Sequence, residues 1–198
     1  MISAFRLLLA AVLSVAPFAA QADWKPVEKV APYAISGKTG PDLYASIGER
    51  GPKAGIGRAI AFTDFKLTWS RDYRPQPDGA CTLVSARPKL IVTYALPKPS
   101  QKLSEPVATN WKTFIDGVRK HELVHGEMIV AMVKEIEAFT VGLSVPDDPN
   151  CQKIRKRITE RLAQISQAQR QKSRDFDRVE LNEGGNVHQI ILALVNGG

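Results

Sequence analysis

Two histidines and a glutamate stand close together in the segment His121-Glu122-Leu123-Val124-His125. Residues four apart lie one above the other on an α-helix, so both imidazole rings can reach one metal ion, for which Zn²⁺ is the usual choice. Glu122 stands beside them, where its carboxylate can take a proton from a zinc-activated water. The bare pattern arises by chance in about one chain of this length in a hundred. Its surroundings therefore decide what it means.

The hydrophobic pattern around the motif places it on the buried face of a long helix. From about residue 108 to 140, the apolar residues fall on one arc of a helix, about 140° wide. The three polar residues of the motif share that arc with Val118, Ile129 and Met132. Their burial costs several kcal/mol unless each is satisfied, which a metal ion and its water would do. The alternative is a pair of hydrogen-bonded core histidines, with the glutamate bridging to a basic residue.

The residues after the first 22 divide by pattern into a strand-rich front, residues 23–100, and a helical back, residues 108–181. In the front part, stretches rich in aromatic and β-branched residues lie at 60–69 and 82–96. They predict a small antiparallel sheet of three or four strands.

Two long amphipathic helices are predicted in the back part. The first covers about 108–140, a turn follows at 141–149, and Asn150 is the predicted N-cap of the second. The short connection implies an antiparallel helical hairpin. The apolar tail, residues 184–198, is expected to dock as a terminal strand or short helix. The predicted fold class is α+β, with one domain over 23–198 whose sheet packs on the hairpin.

The first 22 residues have the features of a secretory signal peptide. Arg6 gives a positive start, residues 7–18 are almost wholly apolar, and Ala20-Gln21-Ala22 is a small-x-small cleavage site. We therefore predict cleavage after Ala22 and export to the periplasm or the outside medium, with no membrane span after cleavage. An uncleaved anchor is the alternative.

Export would place the two cysteines, Cys81 and Cys151, in an oxidising compartment. There they are expected to form a disulfide. The bridge would close a loop of about 70 residues and stabilise the fold by roughly 4 kcal/mol in the chain-entropy model. Two free buried thiols are the alternative.

Composition and charge exclude several classes of protein. With 44% hydrophobic residues among 198, wholesale disorder is excluded, and two cysteines are too few for a four-cysteine zinc site. The net charge is +7, and residues 151–181 carry nine basic and four acidic side chains. Because aromatic residues are not interleaved with these charges and export removes the chain from genomic DNA, nucleic acid is not an expected partner. An anionic cell-envelope surface remains open as a partner.

Together with its surroundings, the motif resembles a bacterial family of predicted secreted zinc-dependent proteases. The resemblance covers most of the chain after the signal peptide. It rests on a strand-rich front with one cysteine, Cys81, and on a strand ending at a proline, Leu96-Pro97. It also rests on a tryptophan before the motif helix, Trp111, on the motif itself, residues 121–125, and on a cysteine opening the next helix, Cys151. It implies a zincin-like metallopeptidase, with His121 and His125 as ligands and Glu122 as the general base.

The match departs from the family at the C-terminal motif. The family closes with Tyr-Asp-x-x-Thr-x-His-Gly, whose histidine would supply a third zinc ligand. Here the corresponding stretch is residues 176–183, in which Phe176 replaces the tyrosine, Asp177 is kept and Asn182 stands where the histidine would be. Asparagine is a poor zinc ligand, so the third ligand has to be sought elsewhere.

The third ligand stays open between four residues. In a hairpin that turns near Val145, the residues opposite the motif are Gln169 and Ile165, and neither is a zinc ligand. The third group is therefore expected from the returning C-terminal segment or from the sheet. The candidates are His188, which is chemically the best, and then Asp177, Glu183 and Glu180.

The resulting functional hypothesis is a secreted or periplasmic zinc metalloendopeptidase. Zinc would activate a water, Glu122 would act as general base, and an edge strand would hold an extended peptide or protein substrate. One alternative is a non-catalytic envelope protein on a degenerate zincin scaffold, which binds an anionic partner. Another is a protein that binds zinc without proteolysis.

Overall fold

The computed structural model describes residues 24–55 and 57–197, so the predicted signal peptide, residues 1–22, lies outside the described residues. Within them the chain has an α+β fold, as predicted. Its elements are β1 (Val27–Ile35), α1 (Gly40–Arg50), β2 (Lys53–Ala54), β3 (Gly57–Arg58), β4 (Phe62–Pro75), β5 (Cys81–Pro99), α2 (Val107–Thr140), β6 (Ser144–Val145), α3 (Gln152–Leu181) and α4 (Asn186–Asn196). In the described part, none of these helices combines the length and apolarity required to cross a membrane.

The main sheet is mixed, and the prediction of a purely antiparallel sheet was wrong in this respect. Its strand order is β1-β5-β4, and β6 adds to β5. β4 runs antiparallel to β5, whereas β1 runs parallel to it, from Val27 opposite Ile91 to Ile35 opposite Pro99. Alternation of apolar residues marks a strand but does not reveal the direction of its partner. Because β1 and β5 are far apart in the chain, a parallel crossover between them is allowed.

The stretches predicted at 60–69 and 82–96 each form part of one longer strand, β4 and β5. β5 continues through Pro88, which among the described residues pairs only with Trp69 of β4, since β1 begins to pair at Ile91. Proline is tolerated in a strand where one side is unpaired, because its missing N–H then breaks no ladder.

The long helix α2 packs across the sheet and contributes more buried apolar residues to the main core than any other described element. The apolar residues shared between helix and sheet include Phe114, Val118, Leu90 and Val92, all at most 2% exposed. The predicted docking of the tail is also seen, because α4 is a short helix whose Leu194 joins the same core. Each such side chain stabilises the fold by about 1.5–3 kcal/mol relative to an exposed one.

The connection between α2 and α3 is tied to the start of β5. Val145 of β6 pairs with Cys81, and Cys81 forms a disulfide with Cys151, immediately before α3. Asn150 is not the N-cap that the sequence predicted. Instead the carboxylate of Asp148 accepts the backbone N–H groups of the first three residues of α3, at 2.7, 3.1 and 2.9 Å. This satisfies donors that a helix start otherwise leaves unpaired.

A glycine next to the motif allows α2 to lie close to β5. A Cβ atom added to Gly126 would stand 2.2 Å from the Tyr94 hydroxyl oxygen and 3.1 Å from Cζ. Tyr94 is only 4% exposed, and its hydroxyl donates to Glu28 at 3.1 Å, so the ring has little room to move.

We therefore expect Gly126→Ala to lower the free energy of unfolding by about 1–3 kcal/mol, the usual cost of overpacking. The matched control is Gly48→Ala in α1, where an added Cβ meets nothing within 4 Å. That change should leave stability unchanged or raise it by up to about 1 kcal/mol, because alanine favours helix. Urea unfolding of both variants checks this, and equal stabilities would contradict the close approach.

Candidate functional site

The motif lies at the middle of α2, on the face that packs into the protein. His121 is 8% exposed and Glu122 is 6% exposed, among apolar neighbours such as Val118 and Ile129. The predicted burial is therefore seen for His121 and Glu122, while His125 is slightly more accessible, at 12% exposed. Helical spacing directs both rings toward α3, because residues four apart share one face.

Three potential ligand atoms converge between α2 and α3. Asp177 Oδ1 lies 3.1 Å from Nε2 of His121 and 2.8 Å from Nε2 of His125. The two Nε2 atoms are 3.1 Å apart. In a triangle of this size, a common point lies about 2 Å from all three atoms, which is the usual zinc–nitrogen and zinc–oxygen distance. Two imidazoles and one carboxylate also form a donor set used by catalytic zinc sites.

Residues of α3 hold the two rings in place. His121 stacks on Phe176, with ring centroids 4.7 Å apart and an interplanar angle of 18°. Nδ1 of His125 lies 3.3 Å from Ser173 Oγ. Within residues 24–55 and 57–197, buried Nδ1 of His121 has no hydrogen-bond partner, and the nearest carboxylate oxygen of Glu180 is 3.9 Å away. Both rings therefore direct Nε2 into the cluster, and outer contacts of this kind orient metal-binding histidines.

Asp177 and His125 shift one another's pKa toward the charged forms. Burial opposes ionisation of Asp177, but hydrogen bonds from the two imidazoles hold the pKa of its carboxyl well below the usual range. For His125, burial lowers the pKa, while the Asp177 carboxylate more than compensates and leaves it raised. Asp177 is thus ionised at neutral pH, the form in which a carboxylate binds metal.

Glu122 is buried, unlike a surface glutamate, and its carboxylate accepts a hydrogen bond from Thr63. Its pKa is raised chiefly by burial, against the opposing hydrogen bond from Thr63. Thr63, at the start of β4, donates its hydroxyl to Glu122 Oε2 at 2.5 Å. A carboxylate fixed by a donor, with a pKa moved toward neutrality, suits a general base. No feature of the sequence singled out Thr63, because it stands 59 positions away in an ordinary strand.

A cleft of about 600 Å³ opens onto these groups. One wall is the first part of β4 with the residues before it, another is α2, and the third is α3 with Val187 of α4. Among the described residues, β4 pairs only with β5 in the main sheet, so β4 forms an edge strand beside the cleft. An edge strand has backbone groups free to pair with an extended chain.

The structure brings four of the predicted site residues together and separates two. His121, Glu122, His125 and Asp177 all line the cleft, and the first, third and fourth form a group that could hold a metal ion. Glu180 stands just outside this group. His188, the first choice for third ligand, lies on α4 and accepts the backbone N–H of Gly184 at Nδ1, and Glu183 is exposed between α3 and α4. The identity of the ligand set itself stays a prediction.

The register of the helical hairpin differs from the one that the sequence predicted. A turn near Val145 would place Gln169 opposite His121, whereas the residue found there is Asp177. The connection does not turn tightly, because β6 first pairs with β5 and α3 starts only at Gln152, after the disulfided Cys151. When the centre of the turn moves by one residue along the chain, the α3 residue that lies opposite a given α2 residue changes by two positions. The carboxylate that lies against the two rings thus comes from α3 itself, not from the returning tail.

Residues 30–185 match the model of a family described as "Bacterial protein of unknown function (DUF922)". No curated protein matches the chain. No solved structure matches it either. Since the matched residues make up most of the chain and include the whole cluster, this protein belongs to that bacterial family of unknown function.

Proposed function

We propose that this protein is a zincin-like zinc metallopeptidase of the periplasm or the outside medium. The observation that carries the proposal is the convergence of His121, His125 and Asp177 beside Glu122, in a cleft bordered by an edge strand. His121 and Glu122 are buried and His125 is only 12% exposed, which is costly at one place unless something compensates it. A dication meets that requirement with the donor set present.

The residues of the site would divide the work as follows. His121, His125 and Asp177 would hold the ion, which when bound polarises a substrate carbonyl and makes water acidic near neutral pH. Glu122 would take a proton from the attacking water and return it to the leaving amine, a role that its raised pKa favours. Thr63 would keep the Glu122 carboxylate in one orientation through its short hydrogen bond.

The edge of β4 supports a peptide as the substrate. Residues 59–63 lead into β4 and line the cleft together with Phe65. An extended peptide that added to this edge would receive main-chain hydrogen bonds and place one of its carbonyls near the cluster. This mode needs an unfolded or flexible substrate, because a folded domain does not offer a free strand.

The alternative of a degenerate, non-catalytic scaffold draws on Asn182, which stands in place of the family histidine. Asp177, which the family pattern keeps, nevertheless supplies a carboxylate oxygen 2.8–3.1 Å from a ring nitrogen of each histidine. The donors, the base and the cleft are thus all present together, which favours the enzyme. Export and cleavage after Ala22 remain part of the proposal, and the Cys81–Cys151 disulfide agrees with an oxidising compartment.

The choice of third ligand can be tested by metal binding. We expect Asp177→Ala to weaken zinc binding by at least about 100-fold, because one of three ligands is removed. His188→Ala should bind zinc as tightly as the unchanged protein. Competition against a chromophoric chelator measures both affinities. The reverse pattern, with loss on His188→Ala alone, would show that the tail supplies the ligand.

The role of Glu122 can be tested separately from metal binding. Glu122→Gln keeps the shape of the side chain but removes the base, so cleavage of an unfolded protein such as casein should fall at least about 100-fold. Zinc content, measured by elemental analysis, should stay at one ion per chain. The proposed function is wrong if the zinc-loaded, unchanged protein shows no cleavage that is lost in Glu122→Gln.

A further inference from the structure

Three guanidinium groups line the cleft outside the cluster. Arg58, Arg170 and Arg174 are exposed, while the carboxylates of the lining are Glu122 and Asp177. Across residues 24–55 and 57–197, no carboxylate oxygen lies within 4.0 Å of any of these three guanidinium groups. By contrast, Arg178 on the same helix as Arg170 and Arg174 is paired with Asp175.

The hydrogen bonds of these arginines leave most of their donors free. Arg58 Nη1 donates to the Gly51 carbonyl at 2.6 Å, and Arg170 Nη1 donates to Ser166 Oγ at 2.7 Å. Arg174 Nη2 donates to Gln171 Oε1. A guanidinium has five N–H donors, so each group can still bind a carboxylate. Local contacts thus steady the side chains without neutralising them.

The net charge of the cleft is positive once the cluster is filled. A bound dication would cancel the two negative charges of Glu122 and Asp177, which leaves the three arginines unbalanced. Positive potential in a concave site with low-dielectric walls attracts acidic ligands and disfavours basic ones. The walls here are otherwise largely apolar, with Phe62, Phe65, Ile129 and Leu181 among them.

The spacing along α3 places two of the arginines at defined distances from the cluster. Arg170, Arg174 and Asp177 are related by four and three residues, so they share one face of the helix. At 1.5 Å per residue, Arg174 and Arg170 lie about 4.5 and 10.5 Å along the axis from Asp177. An extended peptide rises about 3.3 Å per residue. For a peptide that runs along α3, these distances correspond to one to three residues of substrate from the carbonyl at the cluster.

We propose that the cleft selects acidic peptides, with Asp or Glu one to three residues from the scissile bond bound by Arg174 and Arg170. The inference rests on the proposed peptidase function in so far as the bound peptide is cleaved. The recognition of acidic peptides is a binding property that can be measured without cleavage. A planar guanidinium binds a carboxylate through two parallel hydrogen bonds, which gives direction as well as charge. Phe62 and Leu181, both more than 40% exposed, would contact apolar side chains of the same peptide.

The first arm of the test measures binding with the zinc-loaded Glu122→Gln protein, which should hold a peptide without cutting it. Three fluorescein-labelled decapeptides share one apolar centre and differ only in four flanking residues, which are all Glu, all Gln or all Lys. Fluorescence anisotropy gives each Kd. The acidic peptide is expected to bind roughly tenfold more tightly than the Gln peptide. The Lys peptide should bind most weakly.

Two double variants in the Glu122→Gln background separate the cleft from general charge. Arg170→Gln with Arg174→Gln should remove most of the preference for the acidic peptide. Lys156→Gln with Arg157→Gln makes the same change of net charge on the same helix, at exposed residues outside the cleft lining, and should leave the preference intact. An equal loss in both double variants, or equal binding of the Glu and Gln peptides by the parent, overturns the proposal. Absence of binding by every peptide also overturns it.

The second arm measures kcat/KM with the zinc-loaded protein that keeps Glu122, and with unlabelled forms of the same peptides. Faster cleavage of the acidic peptide, lost with Arg170→Gln and Arg174→Gln, supports both the proposed function and this inference. Acidic preference in binding without any cleavage supports the inference and rejects the peptidase. Cleavage of the Glu and Gln peptides at equal rates supports the peptidase and overturns the inference.

Discussion

One carboxylate oxygen, Oδ1 of Asp177, lies within 3.1 Å of ring nitrogens from both His121 and His125. The two imidazoles are largely removed from water and the Asp177 carboxylate is partly removed, and their mutual contacts offset part of the desolvation cost. A dication at the same place would offset it more fully, since all three atoms are metal ligands. The arrangement depends on the register of α3 against α2, because a shift of one residue would move Asp177 away from the two rings.

That register is set far from the cluster, at the other end of the two helices. β6 pairs with the start of β5, and the Cys81–Cys151 disulfide ties the first turn of α3 to the same strand. Asp148 closes the helix start by accepting three backbone N–H groups. At the site end, Phe176 stacks on His121 and α4 packs against α2, which fixes the separation of the helices. The Cys81–Cys151 disulfide therefore helps to set the geometry of the site through the register of α3 against α2.

The sequence predicted those features that repeat along the chain. The period of the apolar residues predicted α2 within one residue of its start, and the same pattern placed His121, Glu122 and His125 on the buried face. Pairings between distant segments left no such signal. The parallel direction of β1, the contact of Thr63 with Glu122 and the place of Asp177 opposite His121 all depend on tertiary structure. Ligand chemistry names Asp177 among four candidates, but a hairpin that turns near Val145 would place Gln169, not Asp177, opposite His121.

The central claim is that His121, His125 and Asp177 hold one zinc ion beside Glu122. A crystal structure of the zinc-loaded mature protein, with anomalous diffraction recorded on both sides of the zinc absorption edge, tests it most directly. We expect one anomalous peak between α2 and α3, about 2 Å from Nε2 of each histidine and from a carboxylate oxygen of Asp177. A fully occupied peak elsewhere, such as at His188, or the absence of any peak with the cluster unchanged, would contradict it.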